Sequence, residues 1–180
     1  MDYPWYFIVE KNADLQQGDL IENCPVIIPS AILKQGADLE FEVKMLNAVI
    51  MTQSCDLTNK NAELVLVCPY YTLSVFLQSL PSGQTSTHKA KSKILDNLRK
   101  GHFAAYHLLN IQDGTVPEFL IVDFKNVYGV HIKTLNELAL QTTTRIRLLP
   151  PYREHLSQAF ARYFMRVGLP TDINLDSLSF

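Results

Sequence analysis

Apolar and polar residues along the chain follow first a period of two and later a mixture of two and 3.6. Tyr6-Phe7-Ile8-Val9 predicts a first strand, and Gln17-Gly18-Asp19-Leu20-Ile21 a turn running into a short apolar segment. Pro25 and Pro29 mark that segment as edge and loop structure, because proline gives a sheet no N–H. Leu39-Glu40-Phe41-Glu42-Val43-Lys44 alternates as a half-exposed strand does. Ala48-Val49-Ile50-Met51-Thr52 and Leu64-Val65-Leu66-Val67-Cys68 are continuously apolar and predict two buried central strands. The loop between them opens with Gln53-Ser54-Cys55-Asp56.

Beyond Pro69, Leu73, Phe76, Leu77 and Leu80 keep helical spacing up to the stop at Pro81-Ser82-Gly83. A Ser/Thr/Gly-rich stretch over 79–88 reads as a loop. Ile94, Leu95 and Leu98 then mark a second helix, with Gly101 as its cap. Segments 103–111 and 118–124 predict a hairpin about the Asp113-Gly114 turn, and 127–132 a further strand. Thr134-Leu135-Asn136-Glu137 fits a capping box opening a short helix, and 143–149 alternates as a strand. In the last helix Leu156, Ala159, Phe160, Tyr163, Phe164 and Val167 form one stripe, Pro151 suits the first turn, Gly168 caps it, and Pro170 stops it. The expected architecture is a single α+β domain over 1–170, a small curved sheet or barrel with inserted helices and a C-terminal amphipathic helix. Residues 171–180 lack periodicity and read as a loose tail.

Composition bounds what this fold does. Apolar residues are 47% of the 180 and charged residues 19%, a globular balance with a thin coat of charge that leaves aromatic surface for a partner. No apolar run reaches the roughly 18 to 20 residues of a membrane helix and no basic, then apolar, leader opens the sequence, so a cytoplasmic protein without membrane contact is expected. Three cysteines, Cys24, Cys55 and Cys68, suggest neither a disulfide framework nor a metal knuckle. Residues 1–63 carry ten acids against four bases, and the remainder eight against twelve. Arg145, Arg147, Arg153, Arg162 and Arg166 cluster near the end, and Lys89, Lys91, Lys93, Arg99 and Lys100 form a second group. The first cluster, on one side of the predicted strand and along the last helix, predicts a basic ridge for a protein partner or nucleic acid.

The candidate catalytic residues are Cys55 and Asp56, in a patch of amide, hydroxyls, thiol and carboxylate at the end of a buried strand. A thiol nucleophile needs a base, and His88, His102, His107, His131 and His155 are not placed beside it by spacing, so Cys55 reads as structural. A metal held by Cys55, Asp56, His102 and His107 is disfavoured because the two histidines, five apart, point to opposite strand faces. Asp123 with Asp56 forms a carboxylate pair only if their strands are neighbours; otherwise Asp123 closes a turn at Lys125-Asn126. No metal or cofactor is expected.

Gly18-Asp19-Leu20-Ile21, Ala48-Val49-Ile50-Met51-Thr52 and Leu64-Val65-Leu66-Val67-Cys68-Pro69 together resemble the start of the MazF/PemK toxin barrels, over about the first 70 residues. The resemblance implies an SH3-like barrel plus helices. It also implies RNA cleavage, which in that family uses an arginine before the second strand and a Thr or Ser after the third strand's proline. Here Asn47 stands near the first position and Tyr70 follows Pro69, with Thr72 two residues on. RNA cleavage needs a base and a cation at the phosphate, and the matched motifs carry no cation. The function expected is therefore a non-catalytic or weakly catalytic, protein-binding component of a bacterial toxin–antitoxin or defence-type system, its partner a co-encoded protein. The alternatives are an active endoribonuclease or RNA-binding toxin, and a cysteine enzyme built on Cys55; homo-oligomers are open to all three.

Overall fold

The computed structural model describes residues 3–29, 41–59 and 61–165. Over these residues the chain is α+β, with eight strands in one open, wholly antiparallel sheet and six helices. The strands are β1 (Tyr6–Glu10), β2 (Asp19–Pro29), β3 (Phe41–Ile50), β4 (Leu64–Thr72), β5 (Tyr106–Leu109), β6 (Leu120–Asp123), β7 (Tyr128–His131) and β8 (Thr144–Leu148). Their spatial order is β1-β8-β2-β3-β4-β6-β5. The edge of β4 away from β3 is shared, Leu64–Val67 pairing with β7 and Tyr70–Thr72 with β6. The helices are α1 (Ser54–Thr58), α2 (Leu73–Ser79), α3 (Ser82–Thr85), α4 (His88–Arg99), α5 (Ile132–Gln141) and α6 (Tyr152–Phe164).

The period of two divides the core between the faces of this sheet. Leu20, Val49, Cys68, Tyr70, Leu120, Val122 and Leu148 face α6 and pack on Leu156, Ala159, Phe160 and Tyr163. Ile21, Ala48, Ile50, Val65, Val67 and Val130 face the other way and pack on Leu135 and Ala139 of α5. Ile121 turns a third cluster toward Phe76 of α2 and Ile94 and Leu98 of α4. The two ends of the strand order curl together. Gln112 beyond β5 accepts hydrogen bonds from the Trp5 and Tyr6 amides (2.7 and 3.0 Å) and donates to the Tyr6 carbonyl, while the Tyr6 hydroxyl donates to the Asn110 carbonyl (2.7 Å).

Several elements differ from their sequence expectation. The segment with Pro25 and Pro29 is a full strand; beyond Ile21 it pairs only with β3, and an edge position tolerates proline. The alternating and apolar segments before residue 50 are one continuous strand, with Leu39 and Glu40 outside the described residues. Ser54-Cys55-Asp56 opens α1 instead of a loop. The hairpin about Asp113-Gly114 forms, Gly114 taking φ +72°, but its first strand shrinks to Tyr106–Leu109. Helix α5 starts two residues before the expected capping box, because His131 Nδ1 accepts from the Lys133 amide (3.1 Å) and caps it. On α6 Phe164 is 59% exposed and lies outside the buried stripe. Val167, Gly168, Pro170 and the tail 171–180 lie outside the described residues.

A basic cleft on the open edge of β5

The Thr52–Asp56 patch contains no assembled catalytic centre. Thr52 Oγ1 accepts from the Leu66 amide (2.7 Å) and Ser54 Oγ from the Gln17 amide (3.1 Å), so the hydroxyls brace the strand ends. Exposed Cys55 has its sulfur near Gln53 Oε1 (3.6 Å) and Asp56 Oδ1 (3.9 Å), groups that cannot act as a base toward it at neutral pH as a histidine would. Burial pushes the Cys24 and Cys68 thiols up to about 11 and about 12, removing them as thiolates. Buried Asp123 accepts from the Lys125 amide and from Asn126 Nδ2, both at 2.9 Å, and closes the turn after β6. Among the described residues no group of three His, Cys, Asp or Glu side chains is arranged to hold a metal. Of the family-matched positions, exposed Asn47 accepts from the Asn23 amide at the β2 bulge, and Tyr70 is buried in the core.

Of the five arginines, Arg145 and Arg147 do not contribute to an exposed ridge. Arg145 and Arg147 on β8 are 4% and 9% exposed and turn inward onto Asp19, which is fully buried. Arg147 Nε and Nη2 donate to the Asp19 carboxylate at 2.5 and 3.0 Å, with Arg145 Nε 3.5 Å from it. Arg145 Nη1 and Nη2 donate to the Lys11 and Ala13 carbonyls and Arg147 Nη2 also to that of Asp14, while Arg145 Nε makes no hydrogen bond among the described residues. One carboxylate and a turn of carbonyls thus solvate two buried cations, which strand alternation alone cannot distinguish from a surface pair. Arg153 is engaged with Glu154, and Arg166 lies outside the described residues. Arg145 borders a cavity near β2, whereas Arg162 lines a separate cleft at the end of α6.

That cavity, a cleft of about 530 Å3, joins Arg162 to the other basic group. From α6 it takes His155, Ala159, Arg162 and Tyr163, spaced at i, i+4, i+7 and i+8 and so on one stripe of the helix. From the end of α4 it takes Leu98, Arg99, Lys100 and Gly101. Gly101, at φ +69°, stops α4 there, its amide and that of His102 bonding back to Leu98 and Asn97. Arg99 and Lys100 both pair with Asp96, at 2.8 and 2.5 Å, so part of their charge is already met.

Between the two helices runs β5, contributing Tyr106, His107, Leu108 and Asn110 to the lining. Tyr106 and Leu108 face the α4 cluster, whereas His107 faces Phe124 and α6. Residues from opposite faces of one strand line one cavity only along the strand's edge. Among the described residues β5 pairs with β6 and with no other strand. The Phe124 amide donates to the Ala105 carbonyl, which sets the register so that Leu108 turns both its N–H and its C=O away from β6, into the cleft.

His107 is the most perturbed group there. It is 8% exposed, its Nε2 has no hydrogen-bond partner among the described residues, and the His155 ring lies 5.0 Å away between centroids. Burial first, then the charges of His155 and Arg162, push its pKa down to about 4, so the ring is neutral at neutral pH. Trp5, stacked on Tyr152 at 3.7 Å, forms part of the wall. Sequence reasoning did not join these groups, because His107 and His155 are distant in the chain; the only local signal was a histidine in alternation with Leu109, which is buried. No family model, curated protein or solved structure matches this chain.

Proposed function

We propose that the chain is a protein-binding module which takes an extended segment of a partner as an added strand on β5, in the cleft between α4 and α6. The observation that carries this reading is the open edge of β5: a donor and acceptor on Leu108 that are unmatched among the described residues, set in a cavity with basic and aromatic walls. Strand addition satisfies such groups with another backbone, and the pockets on either side select its side chains. A partner encoded beside it, as in toxin–antitoxin or defence-type systems, and an SH3-like, MazF/PemK-like ancestry of the curved sheet belong to the same proposal. The lack of a base beside Cys55 and the structural roles of Asn47 and Tyr70 support binding rather than cleavage.

A second reading, binding of single-stranded RNA, draws on Arg162, Arg99 and Lys100 beside Trp5 and Tyr106. It fits less well, because an RNA strand carries no regular alternation of backbone donor and acceptor to pair with a strand edge, whereas an added peptide strand does. The test is a titration of extended peptides selected by display on the full chain, followed through the fluorescence of the single tryptophan, Trp5. Leu108→Pro removes the free N–H at an edge position that tolerates proline. Binding lost in that variant, with the fold retained by circular dichroism, is the expected result. Selected peptides that bind it undiminished, or steeply salt-dependent binding of oligoribonucleotides alone, would overturn the reading.

A further inference from the structure

We infer that the segment bound in this cleft alternates acidic and apolar residues, its acidic side chains facing α6 and its apolar ones facing α4. The inference rests on the strand-addition reading and names its partner's chemistry. An added strand presents successive side chains to opposite faces, as β5 itself does. Toward α6 it meets His107, His155 and Arg162; toward α4 it meets Leu98, Tyr106 and Leu108. The two walls differ in kind, so a two-residue repeat in the ligand matches both at once.

The α6 wall is a built acceptor site. Arg162 is exposed, its Nε donates only to the Gln158 carbonyl (3.3 Å) of its own helix, and no acid pairs with it among the described residues. Exposed His155 lies edge-on to His107, ring centroids 5.0 Å apart, and His107 Nε2 is buried with no partner among the described residues. A neutral imidazole donates one hydrogen bond from Nε2–H, and Arg162 supplies the charge that an isolated carboxylate needs away from water. On the opposite wall Arg99 and Lys100 already hold Asp96, which leaves the apolar side chains as the recognition surface there.

The experiment is calorimetric titration of the full chain with short capped peptides alternating aspartate with valine, asparagine with valine, and lysine with valine. The aspartate peptide should bind at least about tenfold more tightly than the asparagine peptide, the equivalent of one charge-assisted hydrogen bond, and the lysine peptide weakest of all. Arg162→Gln, an exposed site where folding is not at stake, should remove the preference for aspartate and leave the asparagine peptide unchanged. Equal binding of the aspartate and asparagine peptides, still sensitive to Leu108→Pro, would overturn the inference while strand addition stands. Failure of all three peptides, with binding of a single-stranded oligoribonucleotide, would overturn both.

Discussion

His107 should set the acid stability of the protein. Its folded pKa of about 4 lies below the ordinary histidine value of 6.5, because burial and the neighbouring His155 and Arg162 penalise the charged ring. Between pH 6.5 and 4 the unfolded chain therefore binds a proton that the folded chain refuses. Stability is fully present above pH 6.5, falls as pH drops through this window, and stops falling on this account below pH 4, where both states are protonated. A shift of this size is worth about 3 kcal/mol, a large share of the roughly 5 to 15 kcal/mol that holds a domain folded. The shifts of Asp96, Glu118 and Glu154 are downward from ordinary carboxylate values, so their effects fall at lower pH, and exposure weakens them. Urea melts followed by Trp5 fluorescence, run at intervals from pH 7 to 4 on the wild type and on His107→Gln, isolate the histidine. The wild type should lose about 3 kcal/mol more than the variant over that range. Parallel pH profiles for the two proteins would refute the reasoning.

Three further substitutions test the frame around the cleft. Asp19→Ala strands two buried guanidinium groups and should cost about 3 to 5 kcal/mol in denaturant melts; a loss under about 1 kcal/mol would mean that Arg145 and Arg147 reach solvent. Leu156→Ala, at a fully buried position under the sheet, should cost about 2 to 5 kcal/mol, whereas exposed Phe164→Ala, whose ring meets Phe160 and Tyr163 edge-on, should cost no more than about 1 kcal/mol; equal losses would contradict the α6 stripe. Gly18→Ala places a Cβ at φ +85°, 3.1 Å from Leu148 Cβ and 3.2 Å from the Leu148 carbonyl oxygen, and should lower stability by about 1 to 3 kcal/mol; a neutral result would mean the turn relaxes freely.

Much of the frame was legible because burial imposes period. The valine-rich runs Ala48–Ile50 and Leu64–Cys68 became central strands, and the Leu156, Ala159, Phe160 spacing placed α6 on the sheet, since each pattern fits only one way of hiding its apolar side chains. Pro25 and Pro29 rightly marked an edge but not a loop, because proline forbids only a central position and the extended segment still pairs along β3. The arginines misled. Alternation puts Arg145 and Arg147 on one side of β8, but whether that side is wet depends on Asp19, some 126 residues earlier. The cleft was least legible of all. His107, Arg162 and the free edge of Leu108 come together only through the curl of the sheet and the packing of α4 and α6 on either side of β5, contacts that no local motif records.

Amide hydrogen exchange at Leu108 tests strand addition most directly. This N–H faces the cleft and has no partner among the described residues, while the Val122 amide on β6 serves as an internal reference for the integrity of the β5–β6 pair. On saturation with an alternating aspartate–valine peptide, exchange at Leu108 should slow sharply with Val122 unchanged, as a new backbone bond forms on the open edge. Unchanged exchange at Leu108, with saturation shown by Trp5 fluorescence, would contradict the added strand.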